Sequence, residues 1–160
     1  NSDKDKKNMS NFKLDKSENY KMKSDKFFEI IDKNKKWDII FIDGDHRKKQ
    51  VIKDIENSLN HLNSNGTIVC HDMCPSMDFL LEDKYCSNSW EAFAYFRKNN
   101  KDLEMFVVDC DYGVGVIRRG SQKLYEGEIK ENWKFLDENK KELMNLISKE
   151  EFAKKYAGHE

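Results

Sequence analysis

Two apolar runs, each ending in acid and histidine, constrain this chain more than anything else in it. The first is Trp37-Asp38-Ile39-Ile40-Phe41-Ile42, followed by Asp43-Gly44-Asp45-His46; the second is Thr67-Ile68-Val69-Cys70, followed by His71-Asp72. Short, nearly unbroken runs of β-branched and aromatic residues suit strands buried on both faces, as in a parallel sheet. Between them, Val51, Ile52, Ile55, Leu59 and Leu62 recur at helical spacing over residues 47–62, and Asn65-Gly66 supplies a turn signal. Strand, helix and strand in that order predict a right-handed βαβ crossover. Both acidic ends then fall on the carboxyl edge of one sheet, where ligands gather in folds of this kind.

The flanking sequence extends this unit. Residues 1–19 are almost wholly Lys, Asp, Asn and Ser, too polar to offset the entropy of ordering, and are expected to form a flexible arm. The opening Asn1 in place of Met suits a fragment or processed product. Residues 20–23 are expected to form a short strand, and Ser24 to cap a helix carrying Phe27, Phe28, Ile30 and Ile31. Beyond Asp72, Pro75 prevents further ladder pairing, and a loop over residues 76–88 leads to a helix with Trp90, Phe93 and Ala94 on its core side. Leu103 to Val108 and residues 114–117 predict two strands joined as a hairpin across residues 109–113. Ile129, Trp133, Leu136, Leu143 and Ile147 predict a long helix, and Ser148-Lys149-Glu150-Glu151 reads as a capping box for a final one. The expected architecture is α/β: parallel strands plus a late antiparallel hairpin, four central strands, and helices on both faces. Residues 20–120 would form its body and residues 121–160 a helical extension.

Composition excludes several classes of function. Lys and Arg number 29 against 30 Asp and Glu, a formal charge of −1, and no basic cluster is interleaved with aromatics, so nucleic acid is not an expected partner. No run is long enough to span a bilayer and none resembles a signal peptide, so a cytoplasmic protein without a membrane partner is expected. Cys70, His71, Cys74 and Cys86 form a conceivable zinc set, but without a CxxC pair the four cysteines, Cys110 included, are read as free thiols in a reducing compartment.

The chemistry concentrates on the two strand ends. If the strands are neighbours, their backbones lie ~4.8 Å apart, and Asp43 and Asp72 share one small patch. Carboxylates that close repel unless a proton or cation sits between them, and oxygen ligands with positions left for water and substrate suit Mg²⁺ better than zinc. On position alone, a capping role for each Asp weighs equally with a ligand role. His46 stands three residues past Asp43 on the same edge, and imidazole, which changes charge near neutrality, makes it the candidate catalytic base. Asp45 would orient or supplement these groups. His71 reads either as a partner that orients Asp72 or as a residue filling the strand end, and His61 and His159 read as solvent-facing. Trp90 and Phe93 read as core, and residues 109–113 as turn chemistry first and a substrate wall second.

These residues, from Trp37 to His46 and from Asn65 to Asp72, resemble the fourth and fifth strands of class I S-adenosylmethionine-dependent methyltransferases. The similarity is greatest to the branch of macrocin-type sugar O-methyltransferases and, more distantly, catechol-type enzymes. The resemblance runs over residues 21–120. It implies a Rossmann-like fold, a divalent cation held by Asp43 and Asp72, a base at His46, S-adenosylmethionine as cofactor with Ser24 and Asp25 at its adenine ring and Asp43 also facing it, and a small-molecule or sugar hydroxyl as acceptor. Met73 stands where catechol-type enzymes have an Asn ligand. No glycine-rich strand-turn-helix precedes this stretch, so the sequence is expected to be the C-terminal part of such a domain and to bind the cofactor poorly by itself. Two other readings compete: a metal-dependent glycosyltransferase with Asp43-Gly44-Asp45 as its DxD motif, and a degenerate, non-catalytic Rossmann-like remnant.

Overall fold

The structure, a computed structural model, describes residues 17–156, which divide into two compact units, one reaching to Ile30 and one beginning at Ile31. In the first, helix α1 (Ser24–Ile30) sets Phe27 against Tyr20 and Phe28, with ring centroids 5.1 and 5.3 Å apart. The Phe27 amide donates to the Lys23 carbonyl, so Lys23 rather than Ser24 stands at the cap position. Residues 20–23 form no strand; the Met22 amide turns back onto the Tyr20 carbonyl. An isolated extended segment has no ladder to satisfy its backbone groups, which is why the expected strand does not form. Most of the expected flexible arm, residues 1–16, lies outside the described residues.

The second unit runs β1 (Trp37–Ile42), α2 (Lys48–Asn60), β2 (Leu62–Cys70), a 3-10 turn (Asp78–Leu81), α3 (Ser89–Asn99), β3 (Leu103–Val108), β4 (Val114–Arg119), α4 (Trp133–Leu143), β5 (Leu146–Ile147) and α5 (Lys149–Tyr156). Its five-stranded sheet has the order β1-β2-β4-β3-β5. β1 and β2 pair in parallel across the α2 crossover, as the sequence predicts. β3 and β4 form the expected antiparallel hairpin, closing on Val108 opposite Val114, and β4 slots antiparallel beside β2. The result is an α/β fold with a mixed sheet.

Period-two alternation along β3 sends its side chains to two separate cores. Leu103, Met105 and Val107 join Ile55, Ile68, Trp90, Phe93, Ile117 and Leu136 in the main core, under helices α2, α3 and α4. Phe106 and Val108 join Val116 on the opposite face, where Phe152 and Tyr156 of α5 cover them. Helices therefore lie on both faces. The capping box that opens α5 is reciprocal: the Ser148 amide donates to Glu151 Oε2 at 2.7 Å and the Glu151 amide to Ser148 Oγ at 3.1 Å.

Three expectations are corrected. β1 is not buried on both faces: Ile42 belongs to the main core and Ile40 packs against it, but Ile39 and Phe41 are 72% and 60% exposed. As the terminal strand of the sheet, β1 uses only one side of its pleat within this unit. β2 begins at Leu62, where a helix end was expected, and its register jumps from Trp37 opposite Leu62 to Ile39 opposite Thr67, so Asn65-Gly66 sits in a bulged segment of the strand. The late helix stops at Leu143, because Asn145 adopts a left-handed φ of 49° and donates its side-chain amide to the Met105 carbonyl at 2.9 Å. Ile147, expected on that helix, instead lies in β5, a fifth strand paired parallel to the end of β3.

Candidate active site

The backbone places the two acidic strand ends side by side. Ile42 lies opposite Cys70 in the β1–β2 ladder, and the His71 amide donates to the Ile42 carbonyl at 3.0 Å, carrying the pairing one residue past both strands. Asp43 and Asp72 therefore leave neighbouring parallel strands at the same edge. Asp72 does so with φ of 63°, a left-handed conformation that Asp tolerates better than most residues. Its neighbours hold it there: the Met73 and Cys74 amides donate to the Gly113 and Tyr112 carbonyls at 2.9 and 2.8 Å, pinning the β3–β4 turn against this loop. Gly113 has φ of 92°, and a Cβ on it would fall 2.3 Å from the Cys74 nitrogen, so only glycine fits. Asp111 and Tyr112 share the left-handed region and complete the tight turn.

Asp43, His46 and Asp72 each offer one ligand atom within 4.8 Å of the others. The His46 ring lies between the carboxylates, with Nε2 3.4 Å from Asp43 Oδ1 and Nδ1 3.3 Å from Asp72 Oδ2. His46 Nδ1 is also 2.6 Å from the Tyr85 carbonyl oxygen. A carbonyl only accepts, so Nδ1 carries the hydrogen, and in the neutral ring Nε2 presents its lone pair toward Asp43. Such an approach of lone pair to carboxylate is favourable only with a proton or a cation between them. Two carboxylate oxygens on one cavity wall, with positions left for water and substrate, fit a divalent ion, and the anchored imidazole beside them keeps its Nε2 lone pair for a proton.

His71, read from sequence as either a partner or a filler, is a partner. Its Nδ1 lies 3.2 Å from Asp72 Oδ1 and 3.5 Å from Asp43 Oδ1, and its Nε2 lies 3.0 Å from Asp111 Oδ2. Burial works against charge on this ring, but Asp111, Asp72 and Asp43 outweigh it and raise its pKa above the ordinary value. Asp45 takes no place in this group: Arg47 grips its carboxylate through Nε at 2.8 and 3.0 Å and through Nη2. That hydrogen bonding holds Asp45 well below the usual carboxylate range, at about 2. Ser24 and Asp25 open α1 in the other unit. His61, expected to face solvent, is buried, with its ring 5.5 Å from that of Trp37 and its Nδ1 2.8 Å from the Lys35 carbonyl. A polar side chain gains more there by packing on the indole and satisfying a carbonyl than by hydration. His159 lies outside the described residues.

The site opens into a cavity of about 420 Å³ whose walls include Asp43, His46, His71 and Asp72 together with Met77, Phe79, Tyr85 and Tyr112. All four of these last residues are large hydrophobics left more than two-fifths exposed. No sequence signal marked Met77, Phe79 or Tyr85, which sit in the loop between β2 and α3; Tyr112 comes from the turn read as a substrate wall. A second cavity, about 540 Å³, lies past Leu81 and Asp83, and there Lys48 Nζ bridges Glu131 and, at 3.1 Å, Glu91. Beneath the site, Cys70, Cys74 and Cys86 are buried free thiols, as expected, and Cys110 is half-buried. Burial, then the neighbouring Asp72, pushes the Cys86 thiol up to about 12, so it stays protonated beside that carboxylate.

A mixed α/β sheet whose parallel strands deliver acidic residues to one cavity at their carboxyl ends defines a Rossmann-like ligand-binding domain. Residues 3–73 match the family model for the methyltransferase domain, and the match ends one residue past Asp72. That segment carries the whole β1-α2-β2 unit, and over it the chain is similar to methyltransferase-domain sequence. No curated protein matches the chain.

Proposed function

We propose that this protein works in the divalent-cation-assisted transfer of a methyl group from S-adenosylmethionine to a hydroxyl oxygen of a small molecule. The observation that carries the proposal is the convergence of Asp43, His46 and Asp72 on one cavity. Asp43 and Asp72 would hold the cation, with Asp43 also toward the cofactor. Ser24 and Asp25 bring a hydroxyl and a carboxylate, the donor and acceptor set that an adenine edge requires. When bound, these groups supply an electrophilic methyl and a positive charge that lowers the pKa of the acceptor hydroxyl.

The chain's own residues supply the rest. With Nδ1 committed to the Tyr85 carbonyl, His46 has Nε2 to take the acceptor's proton, and Asp43 at 3.4 Å stabilises the imidazolium that results. The cavity orients the acceptor, which is the larger part of what an in-line displacement needs. Its apolar wall favours an acceptor that sets an apolar face beside the reacting hydroxyl over a bare sugar. A DxD reading is disfavoured by the capture of Asp45 by Arg47.

The test measures transfer of labelled methyl from S-adenosylmethionine to a panel of hydroxylated acceptors, with Mg²⁺ and with chelator. Transfer that needs Mg²⁺ supports the proposal. Transfer unaffected by chelation overturns the cation's role, and Mg²⁺-dependent transfer of a glycosyl group from a nucleotide sugar overturns the reaction class.

A further inference from the structure

We infer that Cys86 is a positioning residue: its thiol, with the hydroxyl of Ser89, holds Asp72 in the orientation a cation ligand needs. The inference rests on the proposed ligand role of Asp72. Its support is geometric. The Asp72 side chain is only 8% exposed, so protein groups surround most of its carboxylate. Cys86 Sγ lies 3.3 Å from Asp72 Oδ1, a thiol-to-carboxylate hydrogen bond, and Ser89 Oγ donates to the Asp72 main-chain carbonyl at 2.6 Å. The hydroxyl thus secures a backbone already held at a left-handed φ, and the thiol joins His71 Nδ1, 3.2 Å away on the same oxygen, and His46 Nδ1, 3.3 Å away on the other, in fixing the rotation of the carboxylate.

The same segment secures the other side of the site. Tyr85, the residue before Cys86, provides the carbonyl that anchors His46. Two consecutive residues therefore position the imidazole and the buried carboxylate, one through its backbone and one through its side chain. A thiol is a weak donor. It can help orient Oδ1, which it shares with the His71 ring, without adding a positive charge of its own to the carboxylate.

Mn²⁺ binding to the full chain, followed by electron paramagnetic resonance, tests this with C86A, C86S and S89A. C86A should weaken Mn²⁺ binding about tenfold or more, the usual effect of losing a partner that orients a ligand. C86S, which keeps a donor, should recover most of that loss, and S89A should weaken binding to a smaller extent. A metal-free measurement separates this inference from the cation assignment. The infrared S–H stretching band of Cys86, identified by its loss in C86S, should shift in D72N; Asn keeps the left-handed backbone and removes the charge. If the wild type binds no Mn²⁺, the ligand role of Asp72 falls, and with it the need for positioning, even if the band shifts. If Mn²⁺ binds but C86A matches the wild type, or the band ignores D72N, Cys86 holds nothing and the inference is overturned while the cation site stands.

Discussion

The Nδ1 atom of His46 lies 2.6 Å from the main-chain oxygen of Tyr85, so one contact from a loop 39 residues further along the chain leaves the Nε2 lone pair turned toward Asp43. His46→Ala should lower the rate of methyl transfer about a hundred- to ten-thousand-fold, the usual contribution of a positioned base. Cofactor affinity should be unchanged, since the substitution leaves Asp43, Ser24 and Asp25 in place. Steady-state kinetics beside equilibrium binding of S-adenosylmethionine checks this, and an unchanged kcat removes His46 from the chemistry.

Stability should depend on pH through His71. Its folded-state pKa is raised, burial being outweighed by Asp111, Asp72 and Asp43, so the folded chain holds the proton more tightly than the unfolded one. That contribution is fully present below the ordinary imidazole value of ~6.5 and is lost as pH rises through the higher folded value. With chelator present, the gap in melting temperature between wild type and His71→Asn should therefore narrow as pH rises above neutrality. A gap that widens would contradict the sign.

The cysteines should differ in reactivity. Burial pushes the Cys74 thiol up to about 11 and the Cys86 thiol up to about 12, and it raises Cys70 further still. Thiolate is the reactive form. Alkylation of the native chain at mildly alkaline pH, read by peptide mass spectrometry, should mark half-buried Cys110 first and reach the other three only on unfolding. Early labelling of Cys86 would show that the loop above the site opens readily.

Gly113 should tolerate no side chain. Alanine there would meet the Cys74 backbone at 2.3 Å and occupy an unfavourable φ of 92°. Gly113→Ala should cost more than about 1 kcal/mol of stability in denaturant titrations. Because this turn also carries Asp111 and Tyr112, the variant should raise the acceptor KM more than it lowers kcat.

The βαβ unit was legible in the sequence because its signals are local. Apolar runs at Trp37–Ile42 and around Ile68, a helical repeat from Val51 to Leu59, and acids placed directly after each strand specify strand, helix, strand and a shared edge without reference to anything distant. The hairpin of β3 and β4 and the capping box at Ser148 and Glu151 were legible for the same reason. Where two patterns overlap, local reading failed: Ile147 fits the repeat of α4, but Asn145, bonded to the Met105 carbonyl, ends the helix and sends Ile147 into a strand.

Sequence alone thus determined the chemistry available at the sheet edge, Asp43, His46 and Asp72, because strand and helix periods dictate which residues emerge there. Only the tertiary structure decided how those groups are held. Tyr85 and Cys86 reach the site from a loop with no period of its own, Ser89 reaches it from the start of α3, and Arg47 draws Asp45 away from it. Such contacts join residues that become neighbours only once the core has closed, so they leave no repeating pattern along the chain.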